Sequence, residues 1–98
     1  MLILVTYDVD TTTKVGQKRL RMVAKECLNY GQRVQNSVFE CVVDTTQFTQ
    51  LKLCLKSIVD EQSDSIRFYH LGKNYEQKIE TIGKSNGVRL EVDQDLIL

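Results

Sequence analysis

The run Leu2-Ile3-Leu4-Val5-Thr6-Tyr7-Asp8-Val9 constrains the fold of this chain more than any other segment. It is apolar and rich in β-branched and aromatic residues, which predicts a strand buried on both faces and central in its sheet. A polar loop, Asp10-Thr11-Thr12-Thr13, follows. Leu20, Val23, Ala24, Cys27 and Leu28 then recur at helical spacing, with Gly31 placed where a C-terminal cap is wanted. Gly16 leaves the helix start anywhere from Lys14 to Gln17.

Arg33 to Val43 reads as β structure whose alternation breaks midway. Arg33, Gln35 and Ser37 put polar groups on one face, which turns apolar at Phe39, Cys41 and Val43. A bulge, a bend or a very tight hairpin near Asn36-Ser37 accounts for the switch. Asp44 and Gln47 have capping-box spacing ahead of a second helix, whose apolar stripe is Phe48, Leu51, Cys54, Leu55, Ile58 and Val59. That helix ends in the acidic run Asp60 to Asp64, and Ile66 to Leu71 is a further strand. Beyond Gly72 the expectations are a strand over Tyr75 to Ile82, a turn at Lys84-Ser85-Asn86-Gly87, a short strand at Val88 to Val92 and an apolar end, Leu96-Ile97-Leu98. The order is that of an α+β, ferredoxin-like βαββαβ sandwich with an extra C-terminal strand. Residues 1–72 form the core of a single domain, and 73–98 a strand and tail for docking on a dimer mate or another partner.

At 98 residues the chain is one domain, and pairing with a copy of itself would add stability. No stretch approaches a membrane span and the N-terminus lacks a signal-peptide pattern, so no membrane association is expected. Cys27, Cys41 and Cys54, odd in number and far apart, speak against a disulfide framework, and His70 as the only histidine speaks against a zinc site; a reducing cytoplasmic location fits. Thirteen basic and thirteen acidic residues balance overall. Between Lys14 and Arg33, however, Lys14, Lys18, Arg19, Arg21, Lys25 and Arg33 face Glu26 alone, so phosphate contact must come from this patch.

Asp8 and Asp10 sit two apart at a strand end, with both carboxylates on one side if the strand persists. Either can cap the loop. A charge that interrupts a buried strand is costly unless paired or bound to a cation, so function and structure are level for Asp8, while structure is favoured for Asp10. One carboxylate is thin for Mg²⁺, but two Asp8 side chains meeting across a twofold axis would supply a pair. Lys18, Arg21 and Lys25 make a basic helical stripe with Arg19 on its other flank, which is either a solvated surface or a phosphate contact. Arg33, followed by Gln35 and Ser37, clusters donors where phosphate can be held. His70, Cys27 and Cys54 read as structural, and Phe39, Phe68, Tyr69 and Tyr75 as packing or interface residues. The absence of a P-loop, a dinucleotide fingerprint, a nucleophile elbow and an RNA-recognition aromatic motif turns the reading away from nucleotide hydrolysis and RNA-recognition sheets.

Taken together, Ile3-Leu4-Val5-Thr6-Tyr7-Asp8-Val9, Lys18-Arg19-Leu20-Arg21, Gly31 through Glu40 and Asp64 through Gly72 resemble the CRISPR-associated Cas2 family, and the ending Val92 to Leu98 is similar to type I-C members. The resemblance implies a ferredoxin-like homodimer in which Asp8 of each chain faces its mate and binds Mg²⁺ or Mn²⁺. It implies a metal-dependent endonuclease on double-stranded DNA or RNA, acting in CRISPR adaptation and scaffolding the Cas-one integrase. Tyr7, Arg19, Arg21, Arg33 and Phe39 match positions the family uses around its site; Lys18 and Lys25 are added from helical spacing. Asp10 matches no firm family position. Two other readings stand beside this one: a non-catalytic DNA-holding scaffold, and a ferredoxin-like regulatory or small-molecule-binding module.

Overall fold

A computed structural model of the chain describes residues 1–83. Strand β1 (Leu2–Asp8) leads to helix α1 (Lys14–Cys27), then to strands β2 (Gly31–Gln35) and β3 (Val38–Val42), helix α2 (Thr45–Ile58) and strand β4 (Ser65–Gly72). The sheet order is β2-β3-β1-β4, with every neighbouring pair antiparallel. This is the βαββαβ sandwich expected from the order of elements. β1 is central, as its composition predicts, and its partners are Val5↔Phe39 on β3 and Val5↔Phe68 on β4.

Both helices cover one face of the sheet. Ile3, Val5 and Tyr7 of β1 join Phe39 and Cys41 of β3, Val23, Ala24 and Cys27 of α1, and Leu51 and Leu55 of α2 in one core cluster. Each fully buried Ile, Val, Leu or Phe side chain contributes roughly 1.5–3 kcal/mol, so the cluster dominates the stability of a domain this small. The alternate residues of β1 face the other way: Leu2 is buried, Leu4 and Thr6 are half-buried and Asp8 is exposed. The expectation of a strand buried on both faces is therefore corrected. The helix layer covers one face only, and the period-2 alternation sends every second residue out of it.

The helix starts follow from side-chain caps. Thr13 caps α1 by accepting the Gly16 amide at 3.0 Å. Gly16 is required there because a Cβ would lie 1.8 Å from the Asp10 carbonyl oxygen. Asp44 and Gln47 form the expected capping box on α2, with Gln47 N donating to Asp44 Oδ1 at 2.7 Å and Asp44 N to Gln47 Oε1 at 2.9 Å.

The broken alternation of residues 33–43 is a hairpin turning at Asn36-Ser37, with a bulge between Arg33 and Gln35. Arg33 pairs with Phe39 on the helix side, and the bulge carries Gln35 to the opposite face, where it pairs with Val38. Two expectations are corrected. Gly31 does not cap α1, whose C-cap is Leu28 in ordinary helical conformation; Gly31 begins β2, where the strands come so close that a Cβ would sit 1.8 Å from the Glu40 carbonyl oxygen. Tyr75 to Ile82 is not a strand: Tyr75–Lys78 is a turn of 3₁₀ helix, with Tyr75 buried and Lys78 Nζ donating to the Leu71 carbonyl at 2.8 Å. The turn expected at Lys84 to Gly87, the strand at Val88 to Val92 and the apolar tail lie outside the described residues.

Replacing Gly31 with alanine should lower unfolding stability by about 2 kcal/mol or more, because the clash is with backbone that cannot swing aside. A urea unfolding midpoint indistinguishable from wild type would show that the β2–β3 approach is not as close as described.

Candidate functional site

Tyr7, Asp8, Arg19 and Asp64 gather at one end of the sheet, where β1 stops, β4 begins, the β2–β3 hairpin turns and α1 starts. Asp8 closes the β1–β4 ladder opposite Ser65. Its neighbour Tyr7 donates its amide to the Ser37 carbonyl at 2.9 Å, which fixes the hairpin tip beside the strand end. Asp8 itself is exposed. Its carboxylate is therefore not a charge buried in an apolar strand, and the desolvation reasoning applied to the sequence does not hold for it.

The aspartates divide sharply. Asp10 accepts both the amide of Thr12 at 2.9 Å and its hydroxyl at 2.6 Å, the loop-capping role expected of it, and these bonds hold its carboxyl below the ordinary range. Asp44 caps α2 and Asp60 accepts the Gln62 amide at 3.0 Å. Asp64 is the most heavily used. It takes Arg19 Nε at 2.8 Å and Nη2 at 3.1 Å, the Asp60 amide at 3.0 Å and the hydroxyl of Tyr7. Among the aspartates of the described residues, Asp8 alone makes no side-chain hydrogen bond or ion pair.

Tyr7 and Arg19, which the resemblance places around the site, are thus joined through Asp64. The Asp64 side chain is 1% exposed and that of Arg19 18%. Burial raises the Asp64 carboxyl, but the hydrogen bonds from Arg19, Tyr7 and the Asp60 amide overcome it and bring the value down to about 2. Burial, then the bond to Asp64, pushes the Tyr7 phenol up to about 12. Nothing in the sequence singled out Asp64. Its partners on β1 and α1 lie 57 and 45 residues away, and the pointer in the sequence is its position directly before a strand.

The other cations remain outside this network. Lys18, Arg21 and Lys25 of α1 converge with Arg33 of β2 on a cleft of about 550 Å³, also lined by Met22, Ala24 and Leu28. The basic stripe and the strand-start arginine, separate in the sequence, are brought to one surface that no carboxylate of the described residues lines. Arg33 is held by two hydrogen bonds to the Asn36 carbonyl, at 2.8 and 2.6 Å, and its guanidinium lies 5.5 Å from the ring centre of buried Phe39. That posture ties the cleft to the hairpin tip beside Asp8. His70 packs edge-on against Phe48, with ring centres 5.0 Å apart, in keeping with a structural role.

No group of three His, Cys, Asp or Glu side chains suited to a metal occurs among the described residues. At the end of β1 the free oxygens of Asp8 are one carboxylate ligand, and a hard cation held there needs further ligands beside it.

Comparison with known proteins then places the chain. Residues 1–79 match the family model described as CRISPR associated protein Cas2. A "CRISPR-associated endonuclease Cas2" of Halalkalibacterium halodurans is 62% identical over 91 residues, covering 93% of this chain and 95% of the relative. A "CRISPR-associated endoribonuclease Cas2" of Chlorobaculum tepidum is 52% identical, with the same coverage of each chain. The crystal structure of Streptococcus pyogenes Cas2 at pH 6.5 superposes with a TM-score of 0.79 at 60% identity, covering 85% of this chain and all of that one.

The Asp64 network predicts an acid limb of stability. A carboxyl whose pKa is depressed in the folded state contributes stability above its unfolded value and loses it as pH falls through the folded value, here from about 4 to about 2. The stability difference between wild type and Asp64→Asn should therefore be flat from pH 5 to 8 and shrink on acidification below about 4. Urea unfolding of both proteins across that range checks it; a difference that did not change with pH would mean the Arg19–Asp64 pair is not ionic.

Proposed function

This chain belongs to the CRISPR-associated Cas2 family, and from that premise we propose that it is a CRISPR-associated nuclease that works as a homodimer on double-stranded DNA, with Asp8 as its catalytic and metal-binding centre. The observation that carries this reading is the free carboxylate of Asp8, exposed at a strand end that the hairpin tip joins to a four-cation cleft. Every other aspartate of the described residues is already occupied.

The homodimer is supported by the sheet face that the helices leave open. Leu4, Val38, Val42 and Leu71 stand half-buried on it beside exposed Tyr69. On the same face lies Gln32, paired opposite Glu40; it is 9% exposed, yet its Oε1 has no hydrogen-bond partner among the described residues. A covering sheet from a second copy would bury the apolar side chains and can supply the missing donor. Asp8 lies at the end of this face, so two copies meeting about a twofold axis there would bring two carboxylates together.

Mg²⁺ or Mn²⁺ shared by the two Asp8 side chains would supply Lewis-acid polarisation of a phosphodiester and a more acidic bound water. The remaining roles belong to the chain. Lys18, Arg21, Lys25 and Arg33 bind backbone phosphates along the cleft, and the contact is with charge rather than with base edges, which leaves sequence unread. Phe39 supports Arg33 from below. Arg19, with its Nε and Nη2 on Asp64, contributes to the site mainly through position.

A second reading has its own support: each chain holds no metal-ligand cluster among the described residues, which favours a cytoplasmic scaffold that holds DNA for the Cas-one integrase without cutting it. The two separate cleanly. On the nuclease reading, Asp8→Asn should cut Mg²⁺-dependent cleavage of duplex DNA by roughly a hundredfold or more while the dimer persists in sedimentation. Charge reversal at Arg21 or Lys25 should instead weaken binding and lower the slope of log affinity against log salt by about 1 per lost phosphate contact. Undiminished cleavage by Asp8→Asn would remove the catalytic assignment, and a preference for single-stranded RNA would move the substrate from DNA to RNA.

A further inference from the structure

Asp64 has so far only a part in stability, through its bonds to Tyr7 and Arg19. We propose that Asp64 is a positioning residue for Asp8: its carboxylate clamps the end of β1 so that the Asp8 carboxylate is held in one place on the open face of the sheet. The proposal rests on the metal-dependent nuclease reading and deepens it.

The need for such a residue follows from the freedom of Asp8. A side chain with no hydrogen bond of its own takes its position from its backbone, and Asp8 is the last residue of its strand. Strand ends are where local opening is cheapest. Here the final ladder pair, Asp8↔Ser65, is bracketed by a side-chain link between the preceding residues, Tyr7 on β1 and Asp64 ahead of β4. Because successive strand residues point to opposite faces, holding the Tyr7 ring in the helix layer obliges Asp8 to face the open side.

Asp64 is fitted to this task. Its Oδ2 accepts Tyr7, Arg19 Nε and the Asp60 amide, and its Oδ1 accepts Arg19 Nη2 and, at 3.3 Å, Ser63 Oγ. One buried group therefore joins β1, α1 and the α2–β4 loop. Removal of its charge leaves Arg19 without its counter-ion and the Tyr7 hydroxyl with a weaker partner. The end of β1 then keeps the packing of the Tyr7 ring, its last backbone pairs and the Tyr7 amide bond to Ser37.

The test compares the full chain with Asp64→Asn and with Tyr7→Phe, the latter removing a hydroxyl and nothing else should Asp64→Asn fold poorly. Amide hydrogen exchange is read at Tyr7, Asp8 and Val9 against Ile3 and Val5 as internal controls, and Mn²⁺ binding by the loss of the free-ion EPR signal. In either variant, exchange at Tyr7 to Val9 should rise roughly tenfold over the controls, and half-saturation should need roughly tenfold more Mn²⁺. The rate of cleavage at saturating Mn²⁺ should stay within about threefold of wild type, and the double variant should lose less than the sum of the singles. Unchanged exchange and Mn²⁺ binding, with activity falling only as the folded fraction falls, would overturn the proposal and leave Asp64 a stability residue. Should wild type itself bind no Mn²⁺, the metal reading fails separately; exchange confined to Tyr7–Val9 would still support the clamp, and unchanged exchange would overturn it.

Discussion

A strand can carry a buried ring and an exposed acid side by side only if its alternation is held in register, and β1 does this at Tyr7 and Asp8. Ile3, Val5 and Tyr7 enter the core while Leu4, Thr6 and Asp8 do not. A slip of one residue would exchange the two sets, placing a carboxylate among Phe39, Val23 and Leu51 and putting Tyr7 on the open face. The cost of burying an unpaired charge makes that alternative inaccessible. The position of Asp8 is thus determined by the hydrophobic pattern before it, and the Tyr7–Asp64–Arg19 network adds a polar lock at the point where that pattern runs out.

The same division organises the cations. Arg19 sits three-quarters of a turn or less from Lys18 and Arg21 in a run that looks uniform, yet it differs from them in kind. Its guanidinium is committed to a buried carboxylate through two donors, whereas Lys18, Arg21 and Lys25 border an open cleft. A paired, mostly buried arginine retains little attraction for a phosphate, because its charge is already compensated at short range. Cations that border water are free to exchange counter-ions for phosphates, the source of nucleic-acid affinity. One helix therefore carries both a cation committed to a buried carboxylate and cations that border an open cleft.

How much of this was legible in one dimension depends on the range of the cause. Local causes were readable. The Asp44–Gln47 box caps α2, the loop-capping role of Asp10 holds, and the interrupted alternation around Asn36-Ser37 is a bulged hairpin. The convergence of Lys18, Arg21 and Lys25 was also readable, because helical spacing alone sets it. Distant causes were not. Gly31 has the look of a helix cap, but its requirement comes from the Glu40 carbonyl on the next strand. The segment from Tyr75 lacks a strong period, and tucking Tyr75 inward with Lys78 closing on Leu71 was enough to coil it rather than extend it. Asp64 is the sharpest case: the side chains it joins, Arg19 and Tyr7, lie 45 and 57 positions away.

The burial expected of Asp8 and its observed exposure give the same residue two different physical descriptions. Its candidacy was argued from the cost of a charge in a buried strand, but β1 is buried on one face only and Asp8 projects from the other. What distinguishes it is that, among the described residues, it alone of the aspartates has no side-chain partner. In a folded chain, aspartates at turns and strand ends are readily consumed by backbone amides, as Asp10, Asp44 and Asp60 are. A carboxylate left free, next to a backbone fixed by its neighbours on both strands, costs nothing in water and retains its full capacity for a ligand. Exposure in the single chain and burial against a second copy are then compatible conditions, because the cation that would relieve the repulsion between two such groups is also the ligand for which their oxygens remain available.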